Sequence, residues 1–154
     1  MKGTEPVQAI ADEQFDRDRW PFFWLTRAAN SYQVHLERGL KKIGLDIPRW
    51  RVLMCLTENT SMGISEMADL VIAKLPTIVK VVQRMEADTL VSISTREADA
   101  RIREVRLTPK GTAARDAALT LATRIHDRCF MSYSKAEIHR LNTELFKLCD
   151  SLDF

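Results

Sequence analysis

Asp99-Ala100-Arg101-Ile102-Arg103-Glu104-Val105-Arg106-Leu107-Thr108-Pro109-Lys110-Gly111 decides the fold of this chain. The turn Glu97 to Arg101 separates two short runs, Val91 to Arg96 and Ile102 to Leu107. Both runs are rich in β-branched residues and arginine, a pattern that predicts a β-hairpin. Thr108-Pro109 then supplies an N-cap and a first-turn proline, and Gly111 leaves room for close backbone packing, so a helix follows at once. The hairpin carries arginine on both flanks of its tip, a composition suited to an anionic partner. Just upstream, Leu75, Ile78, Val82 and Met85 recur at helical steps, which predicts one buried stripe on a helix from Leu75 to Asp88. Thr77, Lys80, Val81 and Arg84 are expected on its other face. A basic hairpin beside a basic helix points to duplex nucleic acid.

Charge supports this reading only once it is divided along the chain. The formal net charge of the 154 residues is +2. Residues 1 to 18 hold two basic and five acidic side chains, whereas residues 74 to 110 hold eight basic and five acidic ones, a net +3. The centre is therefore the basic face, where neutralised phosphates and released counterions supply affinity.

The segments on either side complete the order of elements. Residues 1 to about 16 are acidic and weakly periodic and are read as a loose arm. One long helix is predicted from Arg19 to about Ile43, closed by Gly44. Asp46-Ile47-Pro48 starts a second helix, expected to reach about Glu58, and Ser65 with Glu66 starts a short third one that ends near Val71. Three helices and then a hairpin make the order of a winged helix-turn-helix. A long helix from Pro109 to about Met131 follows. The last helix, Lys135 to about Ser151, carries Ile138, Leu141, Leu145, Leu148 and Leu152 at steps of three and four, a heptad-like seam. That seam either packs on its own monomer or pairs two chains, and two long apolar terminal helices around a basic centre favour pairing. The expected class is mainly α with a small β-hairpin wing. One domain spans 1–154, with dimerisation helices at 17–45 and 109–154 and a DNA-binding region at 46–108.

Other classes find little support. There is no Gly-rich phosphate loop, no HExxH and no Cys/His cluster, and His35, His126 and His139 are scattered, so neither an enzyme, a metal nor a cofactor is expected. Cys55, Cys129 and Cys149 form no CxxC pair and are read as buried structural thiols. A thiol-based redox sensor on the same fold stays the alternative, with Cys55 expected to be shielded. No run is apolar and long enough for a membrane span, and no charged-then-apolar leader is present, which predicts a cytoplasmic protein.

Ile64-Ser65-Glu66-Met67-Ala68, the helix with Thr77 and Lys80, Leu90-Val91, and Asp99-x-Arg101 followed by Val105-x-Leu107-Thr108-x-x-Gly111 together resemble the MarR (multiple antibiotic resistance regulator) family over roughly residues 20 to 150. The resemblance implies a homodimeric transcription factor on an inverted-repeat operator, often released by a small effector. It makes Leu75 to Asp88 the recognition helix, with Lys74, Leu75, Thr77, Lys80, Val81 and Arg84 facing DNA. In the wing it implies Arg101 in the minor groove, with Asp99 either bracing it or serving only the turn. Arg96 and Arg103 become phosphate contacts, and Arg106 instead part of a structural ion pair. Two departures stand out: Leu75-Pro76 replaces small polar residues, and Thr89 stands where glycine commonly precedes Leu-Val.

The aromatic segment Trp20-Pro21-Phe22-Phe23-Trp24-Leu25-Thr26-Arg27 and the triplet Arg49-Trp50-Arg51 hold all three tryptophans. Either these rings fill the core, or they form an effector site from Trp20, Phe23, Trp24, Arg27, Ser31, Arg49 and Trp50. Stacking area beside guanidinium would suit a planar aromatic carboxylate. The combination of Trp20, Ser31, Arg49 and Trp50 is similar to that of family members that control degradation of aromatic acids such as indole-3-acetate. The expected protein is thus a repressor released by such an acid.

Overall fold

The computed structural model describes residues 16–57, 60–71, 73–96 and 98–152. The segment read as an acidic arm, up to residue 15, lies outside the described residues, as do Glu58 and Glu97. The elements are α1 (Pro21–Lys42), α2 (Ile47–Cys55), β1 (Met62–Gly63), α3 (Ile64–Leu70), α4 (Leu75–Ala87), β2 (Val91–Arg96), β3 (Asp99–Leu107), α5 (Pro109–Cys129) and α6 (Lys135–Asp150). The fold is mainly helical with a small antiparallel sheet in the order β1-β3-β2.

The chain divides into two units at residue 34, within α1. In the first, a 3-10 turn over Arg17–Arg19, capped by the Asp16 carboxylate, precedes α1. Helix α1 therefore begins at Pro21, two residues later than the sequence pattern predicts.

In the second unit the core is built from Leu36, Leu40, Trp50, Leu53, Met67, Ile78, Val82, Met85, Val91, Val105 and Ala118, with their buried neighbours. Gly44 ends α1 at φ +74, a conformation that costs glycine nothing. The Asp46 carboxylate then accepts from the Arg49 N–H at 2.9 Å and caps α2, with Pro48 in its first turn. Helix α2 stops at Cys55, short of Glu58, because Leu56 turns extended to bury its side chain.

Two features of the next segment differ from expectation. Helix α3 starts from Gly63 instead of Ser65, and the Glu66 carboxylate reaches back to accept from the Gly63 N–H at 2.9 Å. The cause is β1, a two-residue strand that pairs Met62 with Val105 and Gly63 with Glu104. So short a strand carries no alternation that a sequence pattern could show.

Strands β2 and β3 pair from Val91–Leu107 to Thr95–Arg103, and the register slips between Thr95 and Arg96 so that Arg96 faces Asp99. Val91, Val105 and Leu107 are buried and Arg106, between the last two, is exposed, the alternation a half-buried hairpin requires; Arg101 and Arg103, toward the tip, are exposed as well. Thr108 caps α5 by accepting from the Gly111 N–H at 3.0 Å, and its hydroxyl also donates to the Thr89 carbonyl at 2.6 Å. A Cβ on Gly111 would lie 1.9 Å from the Leu90 carbonyl oxygen, so only glycine permits this approach. The core ends near Ile125 on α5 and takes nothing from α6 among the described residues. For that reason Cys129 and Cys149, expected as buried thiols, are exposed, and only Cys55 is partly buried.

Candidate nucleic-acid interface and effector region

The interface is built on α4 and the β2–β3 hairpin. Ile78, Val81, Val82 and Met85 are buried, leaving Lys74, Leu75, Thr77, Lys80 and Arg84 exposed on or beside α4. Val81, expected to face DNA, is 2% exposed and belongs to the core. The correction follows from helix geometry: Val81 lies three residues after Ile78 and four before Met85, so it completes their stripe. With the stripe centred there, Gln83 joins the exposed face beside Lys80 and Arg84, a residue the narrower stripe left out.

At the hairpin tip, Asp99 Oδ1 accepts from the Arg101 backbone N–H at 3.0 Å and from Arg101 Nε at 3.1 Å, and Oδ2 accepts from Nη2 at 3.3 Å. The Arg101 side chain is nevertheless 90% exposed. These bonds from the guanidinium and the backbone hold the Asp99 carboxyl below the usual carboxylate range. Arg103 and Arg106 also stand exposed, and neither has an ion pair among the described residues. The structural ion pair expected of Arg106 is not found among the described residues, although its charge acts on the Glu104 carboxylate.

Arg96 departs from its expected role. Its Nε donates to Glu104 Oε1 in a short bond, and Nη1 and Nη2 donate to Glu66 Oε1 at 3.3 and 3.2 Å. The Ser61 hydroxyl donates to Glu104 Oε2 at 2.9 Å. Arg96 and Ser61 hold the Glu104 carboxyl below the ordinary range, and the Gly63 N–H followed by Arg96 does the same for Glu66. Two carboxylates thus occupy the charge that a phosphate contact would need.

The residues expected at an effector site divide between the two units. In the first, two guanidiniums lie over the Phe23 ring, that of Arg27 5.4 Å and that of Arg17 5.6 Å from its centroid. Trp24 meets Phe23 edge-on at 5.1 Å, and its indole N–H donates to the Asp18 carbonyl at 2.8 Å. Trp20 is partly buried, 6.0 Å from Phe22, and Ser31 is exposed. Arg17 was missed from sequence, because the 3-10 turn that brings it to Phe23 has no periodicity to betray it.

In the second unit, Trp50 is 6% exposed and packs in the core, the bland reading of its ring. Arg49 is also engaged, with Nη2 donating to Asp88 Oδ2 at 2.5 Å and Nη1 to the Gly44 carbonyl at 3.4 Å. Arg49 is thus engaged in seating the start of α2, and Trp50 shows only an edge, to a pocket it lines with Arg51, Met54 and Leu70. Among the described residues no cluster of His, Cys, Asp or Glu could hold a metal, and no helix is long and apolar enough to cross a membrane.

A short helix, a longer helix with an exposed polar face and a hairpin tipped by a braced arginine define a winged helix-turn-helix, a class that reads duplex DNA. No family model matches the chain. It is similar to the HTH-type transcriptional repressor IacR of Pseudomonas putida, at 40% identity over 135 residues, 88% of this chain and 81% of that protein. The crystal structure of the MarR family transcriptional regulator SPO1453 from Silicibacter pomeroyi DSS-3 superposes with a TM-score of 0.75 at 26% identity, covering 91% of this chain and all of that one. Bordetella bronchiseptica BpsR, solved for the regulation of its DNA binding by 6-hydroxynicotinic acid, shares the fold with a TM-score of 0.78 at 22% identity over 90% of this chain and 99% of its own. The chain belongs to the MarR family of DNA-binding transcriptional regulators.

Proposed function

We propose that the protein is a cytoplasmic homodimeric repressor that holds an inverted-repeat operator and lets go when a small aromatic carboxylate binds. The observation that carries the DNA reading is Arg101, exposed at the wing tip and oriented by Asp99 on one side of its guanidinium. An arginine held this way enters a minor groove with little conformational freedom left to lose. Lys74, Leu75, Thr77, Lys80, Gln83 and Arg84 line the face offered to the major groove, with Arg103 and Arg106 toward phosphate. Repression follows the role given to IacR.

Dimerisation is supported by apolar surface that one chain leaves open. On α6, Leu141 and Phe146 are exposed and Ile138, Leu145 and Leu148 half-covered, and Met131 and Tyr133 before it are exposed too. Apolar side chains left open in this number mark an interface. Two copies joined there carry two recognition helices, which an inverted repeat requires.

The effector reading rests on the first unit alone. Trp20, Phe23, Trp24, Arg27 and Ser31 gather aromatic faces, guanidinium and hydroxyl within three helical turns, with Arg17 added. Stacking on the rings and pairing with an arginine would recognise an aromatic acid such as indole-3-acetate. BpsR, whose DNA binding 6-hydroxynicotinic acid regulates, supports the same ligand class.

Titration of a duplex selected by the wild-type protein from a randomised pool tests both parts. Arg101→Ala should weaken binding by about 1–3 kcal/mol at fixed salt, and unchanged affinity overturns the wing assignment. Indole-3-acetate should alter tryptophan fluorescence and release the duplex. Silence across a panel of aromatic acids would leave a regulator that answers another signal, with oxidation of the exposed Cys129 or Cys149 the next to try.

A further inference from the structure

The wing joins the helix-turn-helix at one point of concentrated charge, and that point has no place in the DNA contacts. Arg96 is the last residue of β2, where the hairpin register slips. Its guanidinium spans two carboxylates that lie far apart in sequence: Glu104 on β3 and Glu66 in the first turn of α3. Each carboxylate has a second task. Glu66 accepts from the Gly63 N–H, which opens α3, and Glu104 accepts from the Ser61 hydroxyl just before β1. One side chain thus ties β2, β3, β1 and α3 together, and Glu66, Arg101 and Arg103 line the same cleft with Leu75 of α4.

We propose that Arg96 is a positioning residue for DNA binding, and that the Glu66–Arg96–Glu104 bridge sets where Arg101 and Arg103 meet the duplex relative to α4. A planar guanidinium is required because its fork satisfies two acceptors in different directions at once, which the point charge of lysine cannot do. Without the bridge the hairpin keeps its ladder but loses the side-chain tie to α3, and the wing arginines lose their fixed distance from the recognition helix. The proposal rests on the reading of the hairpin as a DNA-contacting wing.

Two substitutions separate positioning from charge. Arg96→Lys keeps the positive charge and removes the fork. Glu66→Gln removes a negative charge, and its amide oxygen still accepts from the Gly63 N–H. If the bridge positions the wing, both should weaken binding to the selected duplex by about tenfold, and the double variant should be no weaker than either single one. Wild-type affinity in Arg96→Lys would make Arg96 a phosphate contact, and tighter binding by Glu66→Gln would make Glu66 merely a repelling charge. Either result overturns the proposal. Binding is measured well below the melting temperature of each variant; a lowered melting temperature with unchanged affinity also overturns it, since the network would then serve the fold alone. Failure of the wild type to select any duplex would instead remove the DNA reading on which the proposal rests.

Discussion

Thr89 has φ +59, the left-handed region that a β-branched residue rarely enters. It turns the chain from α4 into β2, and three groups hold it there. The Thr108 hydroxyl donates to its carbonyl, Lys110 Nζ donates to the Asp88 carbonyl at 2.8 Å, and the Leu90 N–H donates to the Met85 carbonyl at 2.8 Å. The sequence flagged this position through the family resemblance, as a place where glycine commonly stands. Only the backbone shows that threonine takes the conformation glycine would take. Left-handed geometry costs a non-glycine residue roughly 1–2 kcal/mol, part of which glycine returns through its looser unfolded chain. Thr89→Gly should therefore stabilise the protein by about 1 kcal/mol and raise Tm by about 2–4 °C in a thermal melt. A lower Tm would mean that the Thr89 hydroxyl, bonded to the Asp88 carbonyl at 2.6 Å, outweighs the strain.

At the scale of elements, α4 and the hairpin were legible because each is long enough to show its period. Leu75, Ile78, Val82 and Met85 mark the helix, and the alternation in Val105-Arg106-Leu107 marks the strand. What escaped was the width of the stripe, which takes in Val81, and everything held by pairs distant in sequence. Arg96 reaches Glu66 across thirty residues, and no local pattern contains that pair. The wing's electrostatics give a pH prediction with a definite sign. Glu66, Asp99 and Glu104 all have folded pKa values below the ordinary range. Their contribution to stability is therefore full above the unfolded values and is lost as pH falls through the folded ones, from about pH 4 downward. Melting curves of wild type and Glu104→Gln should differ at neutral pH and draw together as the pH falls below about 4. A difference that persists in acid would place the stabilising effect of Glu104 elsewhere than in its charge.

At the scale of the whole molecule, the terminal helices raise the question of assembly. Phe146 is 71% exposed on α6, outside the core of its own chain. Phe146→Glu should leave the fold intact by circular dichroism, yield monomers in sedimentation, and weaken operator binding by about a hundredfold or more, because two half-sites then no longer act together. A dimer that survives the change would put the interface on another face. The sequence by itself determined the helical class, the hairpin, the glycine at 111 and the basic centre, since these follow from spacing and residue type within a few turns of chain. Tertiary structure alone decided that Trp50 and Val81 belong to the core, that Arg49 seats α2 against Asp88, and that Arg96 clasps two acids. The reason is physical: burial and ion pairing depend on which distant residues meet, and periodicity reports only which side of its own element a residue takes.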